Sequence, residues 1–288
     1  MTISAVFDVL TRTAPELRAG LAPRRTRIGE ENVTGDPQLQ GDVWADGLFA
    51  ERMAEIDGVG EYASEEREEV IDTGSGYSVS VDPLDGSSNL KSNNPMGTIV
   101  GIYDADLPAP GRDLVAAGFI LYGPITTLVV ARDGIVSEYI VTDGNRKEGR
   151  RIMLPEEPTV YGFGGRVPDW TPRFSEYVSA IESRLKLRYG GAMIADVNQV
   201  LTYGGIYGYP ALESRPEGKL RLLFEGSPMG YIVETAGGAS SDGERSLLDI
   251  EPESLHHRTP LFVGNQPLID ELEATMNPDI RGRSDADS

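Results

Sequence analysis

The sequence predicts a layered α+β protein, and three observations carry that expectation. Segments 75–81, 97–103, 114–122, 125–131 and 135–141 read as strands separated by Gly, Pro and Asp turns. Stretches with helical spacing lie on both sides of that block. A proline-rich run, Leu154-Pro-Glu-Glu-Pro158, marks a boundary between an expected N-terminal domain, 1–155, and a C-terminal domain, 156–288. Helices mixed with several strand runs suit sheets whose faces are covered by helices.

Each element has its own signal. Residues 1–20 are expected to be helical because Val6, Leu10, Ala14, Leu17 and Leu21 recur at helical spacing. Pro15 predicts a break or kink inside that helix, since proline has no N–H to donate. Arg24-Arg25-Thr26-Arg27 is a short basic patch before a loop, and Asn32-Val-Thr-Gly-Asp36 reads as a turn. A second helix is expected over 43–56, with Val43, Gly47, Ala50 and Ala54 in line and Trp44, Leu48 and Met53 beside them. In 77–81, Tyr77, Val79 and Val81 alternate with Ser78 and Ser80, the period of a half-buried strand. That strand brings Asp82 to its carboxyl end, where Pro83 is expected to stop the ladder. Asp133-Gly134 signals a hairpin. Further on, 174–185 and 194–203 read as helices, 220–224 as a strand, and 228–236 as a helix ending at Gly237-Gly238. The polar tail, 281–288, is expected to be disordered.

Composition excludes several classes. The chain has 46 Asp+Glu against 26 Lys+Arg, a formal charge of −20. A general field of that sign repels nucleic acid and anionic membranes, so an anionic substrate needs local cations. The surplus acid, with only seven Phe, suits a protein kept soluble in high salt, and a halophilic source is the expectation. There is no Cys, hence no disulfide, thiolate site, Cys nucleophile or redox-controlled bridge. No apolar run approaches the ~20 residues of a membrane span. Residues 1–10 hold no basic leader region, so a cytoplasmic protein is expected.

The most informative segment is Tyr77-Ser-Val-Ser-Val-Asp-Pro-Leu-Asp-Gly-Ser-Ser-Asn89. Gly86 permits a tight turn, and Ser87-Ser88 can open a helix as cap residues. Carboxylates beside a helix start can hold a hard cation while free N–H groups and hydroxyls take phosphate. That combination predicts metal-assisted hydrolysis of a phosphate ester. Taken alone, Asp82-x-x-Asp85-Gly86 is also compatible with a capped turn that binds nothing. An aspartyl-phosphate route is disfavoured, because it wants Asp-x-Asp and here the two acids are three apart. His256-His257, the only histidines, read as part of a turn.

The run Asp82-Pro-Leu-Asp-Gly-Ser-Ser-Asn89 resembles the signature of class I fructose-1,6-bisphosphatases. A shorter form of it marks the wider inositol-phosphatase-like superfamily. Four other segments resemble the same family. They are Asn32-Val-Thr-Gly-Asp36 with Asp42 six residues on, Ser64-Glu-Glu66, Arg188-Tyr-Gly-Gly-Ala-Met-Ile-Ala-Asp-Val197 with Leu201-Thr-Tyr-Gly-Gly-Ile-Tyr207, and Lys219-Leu-Arg-Leu-Leu-Phe-Glu225. Singly, most of these are ordinary: Glu65 and Glu66 sit in a charged run that reads as a solvated face, and Arg188 as a surface cation. The order and spacing of the set carry the resemblance.

The resemblance implies a two-domain, layered αβαβα sugar-phosphatase fold. It implies that Glu65, Glu66, Asp82, Asp85, Glu225 and the Leu84 carbonyl ligate two or three Mg²⁺ ions, with Mn²⁺ as a substitute. Asp42 and Glu66 would orient and deprotonate a water, and Asp36 would support the leaving oxygen or a mobile loop. Asp85, Gly86, Ser87 and Ser88 would contact the substrate. Arg188, Tyr189, Tyr203 and Lys219 would hold a second phosphate, with Met193 against the sugar ring. In the family this arginine reaches across a subunit interface, which implies a homo-oligomer, with a tetramer favoured. The substrate implied is fructose 1,6-bisphosphate, cleaved at its 1-phosphate in gluconeogenesis. Sedoheptulose 1,7-bisphosphate and inositol monophosphate are the rival substrates, and an inactive metal-binding regulator is the rival class. Arg188 and Lys219 favour a bisphosphate. The chain departs from the family pattern at Tyr161-Gly-Phe-Gly-Gly-Arg166, where Arg166 is the candidate replacement donor. The stretch before Asn32 is shorter than in the animal enzymes and lacks part of their AMP site, so weak or absent AMP inhibition is expected.

Overall fold

A computed structural model describes residues 1–25, 27–31, 37–147 and 149–278. Helix α1 spans Thr2–Leu21, α2 Gln40–Ala54, α3 Pro172–Ile181, α4 Met193–Tyr203, α5 Ser227–Thr235 and α6 Gln266–Met276. Among the described residues the strands form one nine-stranded sheet, one five-stranded sheet and two small pairs. α1 and α2 cover the outer face of the large sheet, α4 and α5 fill the space between the two large sheets, and α3 and α6 cover the far face of the smaller one. The layer order is therefore αβαβα, as expected.

The large sheet is mostly an antiparallel meander. Tyr77–Asp85, Met96–Tyr103, Leu114–Tyr122, Thr126–Arg132 and Ile135–Thr142 pair in succession. Asp133 and Gly134 turn the last hairpin with φ of 52° and 72°, the left-handed backbone that a two-residue turn requires. Val59–Ser64 joins the other edge of Tyr77–Asp85 in parallel. The smaller sheet runs Lys186–Leu187, Val160–Phe163, Gly205–Tyr209, Leu261–Gly264 and Ala239–Ser241.

Five local expectations need correction. α1 passes through Pro15 without interruption. Its apolar face is the reason: Val6, Phe7, Leu10, Ala14 and Leu17 are all buried against the sheet. Each large apolar side chain there stabilises by about 1.5–3 kcal/mol, enough to offset one lost backbone hydrogen bond. In α2 the buried face is Asp42, Ala45, Asp46, Phe49 and Met53, while Val43 and Gly47 face solvent. Two acids on the core side hid that face from a hydrophobicity pattern. Strand Tyr77–Asp85 is central and buried on both faces, so Ser78 and Ser80 are inside as well. Their hydroxyls are satisfied by Glu61 Oε2 (2.7 Å) and the Leu223 carbonyl (3.1 Å). Pro83 does not end this strand. Asp82 pairs with Ile99 and Asp85 with Gly97, so Pro83 and Leu84 sit in a bulge, where a missing N–H breaks no ladder bond. The segment 220–224 is the fifth. The strand there is only Leu220–Arg221, followed by a π-turn over Leu222–Gly226.

The turn expected at 32–36 and the tail expected at 281–288 lie outside the described residues. No helix among the described residues is long and apolar enough to cross a membrane.

Candidate metal-phosphate site

The two parallel strands Val59–Ser64 and Tyr77–Asp85 end at the same edge of the large sheet. Their register pairs Ser64 with Val81, so the next residues, Glu65 and Asp82, emerge side by side. The Glu65 N–H donates to the Val81 carbonyl at 3.0 Å and closes that junction. The Glu66 N–H donates to Ser64 Oγ at 3.2 Å and turns the chain away from the sheet. The bulge at Pro83-Leu84 then advances Asp85 past its neighbours. The Leu84 N–H donates to Asp82 Oδ1 at 2.9 Å, and Thr98 Oγ1 donates to the Pro83 carbonyl at 2.9 Å.

Three further elements complete the wall. The first turn of α2 supplies Asp42, whose Oδ2 accepts from the Leu39 N–H at 2.7 Å. The start of α4 is capped from a distance by Asp85, whose Oδ2 accepts the Ile194 N–H at 2.7 Å. The π-turn brings in Glu225, whose Oε2 accepts the Arg221 N–H at 2.6 Å. π-turns concentrate at functional sites because the extra residue re-aims a side chain. Here the extra residue turns Glu225 inward, where it is 4% exposed. Gly86 has φ of 75°, and a Cβ on it would stand 2.3 Å from the Ala192 Cβ. Only glycine allows the 86–88 turn and the start of α4 to approach that closely.

The result is a cavity of about 240 Å³. It is lined by Asp42, Glu65, Glu66, Asp82, Leu84, Asp85, Gly86, Ser87, Ser88, Tyr189, Met193, Lys219 and Glu225 among the sequence candidates. Asp36 lies outside the described residues. Arg188 and Tyr203 do not line this cavity. They form a pair of their own, with the Arg188 guanidinium 4.6 Å from the centre of the Tyr203 ring. Arg166 is also elsewhere, ion-paired with Asp169 at 2.9 Å and 82% exposed. Sequence reasoning missed Tyr207, Tyr209 and Arg221 as lining residues. A usable signal existed for all three. Arg221 stands two residues after Lys219 and Tyr209 two after Tyr207, so in extended chain each pair shares a face. His256 plays no part in the cavity: its Nε2 bonds the Arg67 carbonyl at 2.7 Å.

The electrostatics are those of crowded, buried acid. Oxygens of Glu65, Asp82 and Glu225 all lie within 4.8 Å of one another. Burial, opposed by the Leu39 hydrogen bond, raises Asp42 to about 6. Burial and the neighbouring Glu65 raise Asp82 well above its usual range. Asp85 is pushed to about 7, first by burial. Glu225 is pushed to about 8 by burial and then by Glu65, although Arg221 opposes the shift. Arg221 is itself buried and ion-paired with Glu65. One Arg and one Lys cannot neutralise this many carboxylates. The Oδ1 of Asp42 is also buried with no hydrogen-bond partner. An all-oxygen donor set, short of positive charge and with an unsatisfied carboxylate oxygen beside it, fits a hard divalent cation. Soft or thiolate-preferring metals are a poor match for it.

Known proteins carry the same pattern. Family models described as the N-terminal and C-terminal domains of fructose-1-6-bisphosphatase match residues 5–149 and 154–277. A fructose-1,6-bisphosphatase class 1 from Natronomonas pharaonis is 61% identical over 278 residues, covering 95% of this chain and 98% of that protein. The chain belongs to the class 1 fructose-1,6-bisphosphatase family. A second family member, from Halobacterium salinarum, is 60% identical over 278 residues, covering 95% and 97% of the two chains. The fold is the family's as well. The holo form of Leishmania major fructose-1,6-bisphosphatase superposes with a TM-score of 0.88 at 30% identity, covering 96% of this chain and 93% of that one.

Proposed function

We propose that this protein is a divalent-metal-dependent phosphatase that releases the 1-phosphate of fructose 1,6-bisphosphate in gluconeogenesis. The observation that carries the reading is the convergence, in one cavity, of the buried acid cluster with Ser87, Ser88 and Lys219. Family membership supplies the substrate. Glu65, Glu66, Asp82, Asp85, Glu225 and the Leu84 carbonyl would hold two or three Mg²⁺ ions, with Mn²⁺ as a substitute, which when bound neutralise phosphate charge and activate water.

The chain's own groups divide the remaining work. Glu66 takes the proton from the attacking water, and Asp42 orients that water through a carboxylate oxygen free of other bonds. Asp36 supports the leaving oxygen. Ser87 and Ser88 donate to the reacting phosphate at the 86–88 turn. Lys219 and Tyr189 hold the second phosphate, and Met193 packs against the sugar. Arg188 and Tyr203, paired outside the cavity, serve the site of a neighbouring subunit in a homotetramer. We read the two sheets as the cores of two domains, 1–155 and 156–288, with the site between them. The formal charge of −20 and the salt-loving sources of the two similar proteins support an enzyme adapted to a salt-rich cytoplasm.

Phosphate release from a panel of substrates tests the function. Fructose 1,6-bisphosphate, sedoheptulose 1,7-bisphosphate, fructose 6-phosphate and inositol 1-phosphate are compared with Mg²⁺ in low and high KCl. Selective release from the first is expected. Preference for a monophosphate would keep the acid cluster and overturn the second-phosphate pocket. No release from any of them would leave a metal-binding protein without turnover.

Arg188→Ala separates the roles around that pocket. KM for the bisphosphate is expected to rise about tenfold or more, with kcat little changed, because a charged hydrogen bond contributes about 1.5–3 kcal/mol. An unchanged KM in the assembled oligomer would remove Arg188 from substrate binding.

A further inference from the structure

We infer that the protein has a second anion site, behind the turn that forms the phosphate-binding wall of the active cavity. A separate cavity of about 560 Å³ lies between the carboxyl end of α1, the segment 90–96 and the Tyr122–Pro124 turn. Its polar lining comes from Arg18, Arg25, Asn93 and Asn94, over a floor that includes Leu21 and Met96. No carboxylate lines it among the described residues. In a chain with 46 acids against 26 bases, a cavity with two arginines and no acid among its described lining is poised for an anion.

Arg18 is held, and neither arginine is neutralised among the described residues. Arg18 donates to Thr126 Oγ1 at 2.7 Å and to the Gly123 carbonyl at 3.4 Å, both uncharged acceptors. These bonds fix the guanidinium and leave its charge available to a ligand. Of the basic patch at 24–27, Arg24 is already used: it lies 3.9 Å over the Trp44 ring and donates to the Gly20 carbonyl at 2.7 Å. Arg25 makes no hydrogen bond or ion pair among the described residues and lines the cavity. Asn93 sits at φ of 58°, a conformation asparagine tolerates, which places it on the cavity wall beside Asn94. Two guanidinium groups and two carboxamides above apolar side chains suit a small phosphorylated metabolite, with its phosphate on the arginines.

The same segment lines both cavities. Gly86, Ser87 and Ser88 face the active one, and Leu90 and 93–96 face this one. Asn89 joins them: its Nδ2 donates to the Pro95 carbonyl at 2.9 Å and to the Gly190 carbonyl at 3.0 Å. An anion that pins Asn93 and Asn94 therefore pins the turn that binds substrate phosphate. Occupancy of the second site raises substrate affinity, and by reciprocity substrate raises affinity for the anion. This coupling rests on the phosphatase reading; the site itself does not.

Equilibrium dialysis with radiolabelled inorganic phosphate, at low KCl to limit screening, tests the site directly. With chelator present, so that the acid cluster holds no cation and repels phosphate, wild type is expected to bind two phosphates per chain, one at Lys219 and one at the arginines. Arg25→Gln, an exposed change, is expected to weaken one of them about tenfold or more, and Arg18→Gln/Arg25→Gln to abolish it. Lys219→Ala should weaken the other. Identical binding curves for wild type and Arg25→Gln would overturn the proposal, whether or not the protein is a phosphatase. So would an altered sedimentation coefficient with unaltered phosphate binding, since the arginines would then face carboxylates of a second copy of the chain.

Discussion

Glu66→Gln lowers kcat by about 10²–10⁴-fold and leaves KM for the bisphosphate within about twofold. The amide keeps the size of the side chain and loses the basic oxygen. Glu66 follows directly on Glu65, whose place beside Asp82 is fixed by the pairing of Ser64 with Val81. Its own backbone is tied to Ser64 Oγ at 3.2 Å, so the substitution does not disturb a strand. Steady-state kinetics over a range of Mg²⁺ concentrations checks the role. A rate that stays low at saturating Mg²⁺ is the expected result. Full recovery of kcat as Mg²⁺ rises would make Glu66 a ligand only, and the base would have to be another acid of the cavity.

Chelation reduces turnover to background and lowers the melting temperature at neutral pH by roughly 5–10 °C relative to saturating Mg²⁺. The physical reason is the acid cluster. Without a cation, Asp42, Asp85 and Glu225 hold protons up to about 6, 7 and 8 respectively. Once unfolded, the same groups release theirs near the ordinary carboxylate range of about 4. Between those limits the folded chain binds more protons than the unfolded one, so stability falls as pH rises. In chelator, the melting temperature should therefore be highest near pH 4 and decline toward pH 8, as far as these groups decide it. Saturating Mg²⁺ should flatten that decline, because the cation takes the place of the protons. Calorimetry at several pH values with and without Mg²⁺ measures both effects. A chelated protein that becomes more stable from pH 5 to pH 8 would contradict the burial of these carboxylates.

Much of this protein is legible in its residues alone. Turn residues and runs of strand-forming side chains announced the meander from Tyr77 to Thr142, since each strand is specified locally by side chains that fit a pleated surface. The spacing of Asp82, Asp85, Gly86, Ser87 and Ser88 revealed the metal-phosphate chemistry, because a turn of a few residues is fixed by its own glycine and hydroxyls. The strong negative charge was a property of composition alone.

The remainder depends on contacts between residues far apart in the chain. Hydrophobic patterning put the wrong face of α2 inward, since Asp42 and Asp46 are buried by function and by pairing. Arg67 accounts for Asp46, at 2.7 Å from its carboxylate. Pro83 was read as a stop, yet it continues the strand because a bulge against Ile99 and Gly97 makes its missing N–H harmless. Glu225 was assigned to the end of a strand, and the π-turn that aims it inward has no local signature. The lining by Tyr207, Tyr209 and Arg221 depends on two short strands, Gly205–Tyr209 and Leu220–Arg221, facing the edge of the large sheet. Tyr203 belongs to the same sequence cluster as Tyr189 and Met193, but α4 separates them: Met193 opens the helix at the cavity, and Tyr203 closes it outside, beside Arg188. Local sequence sets which residues can do the chemistry. The packing of the two sheets sets which of them meet.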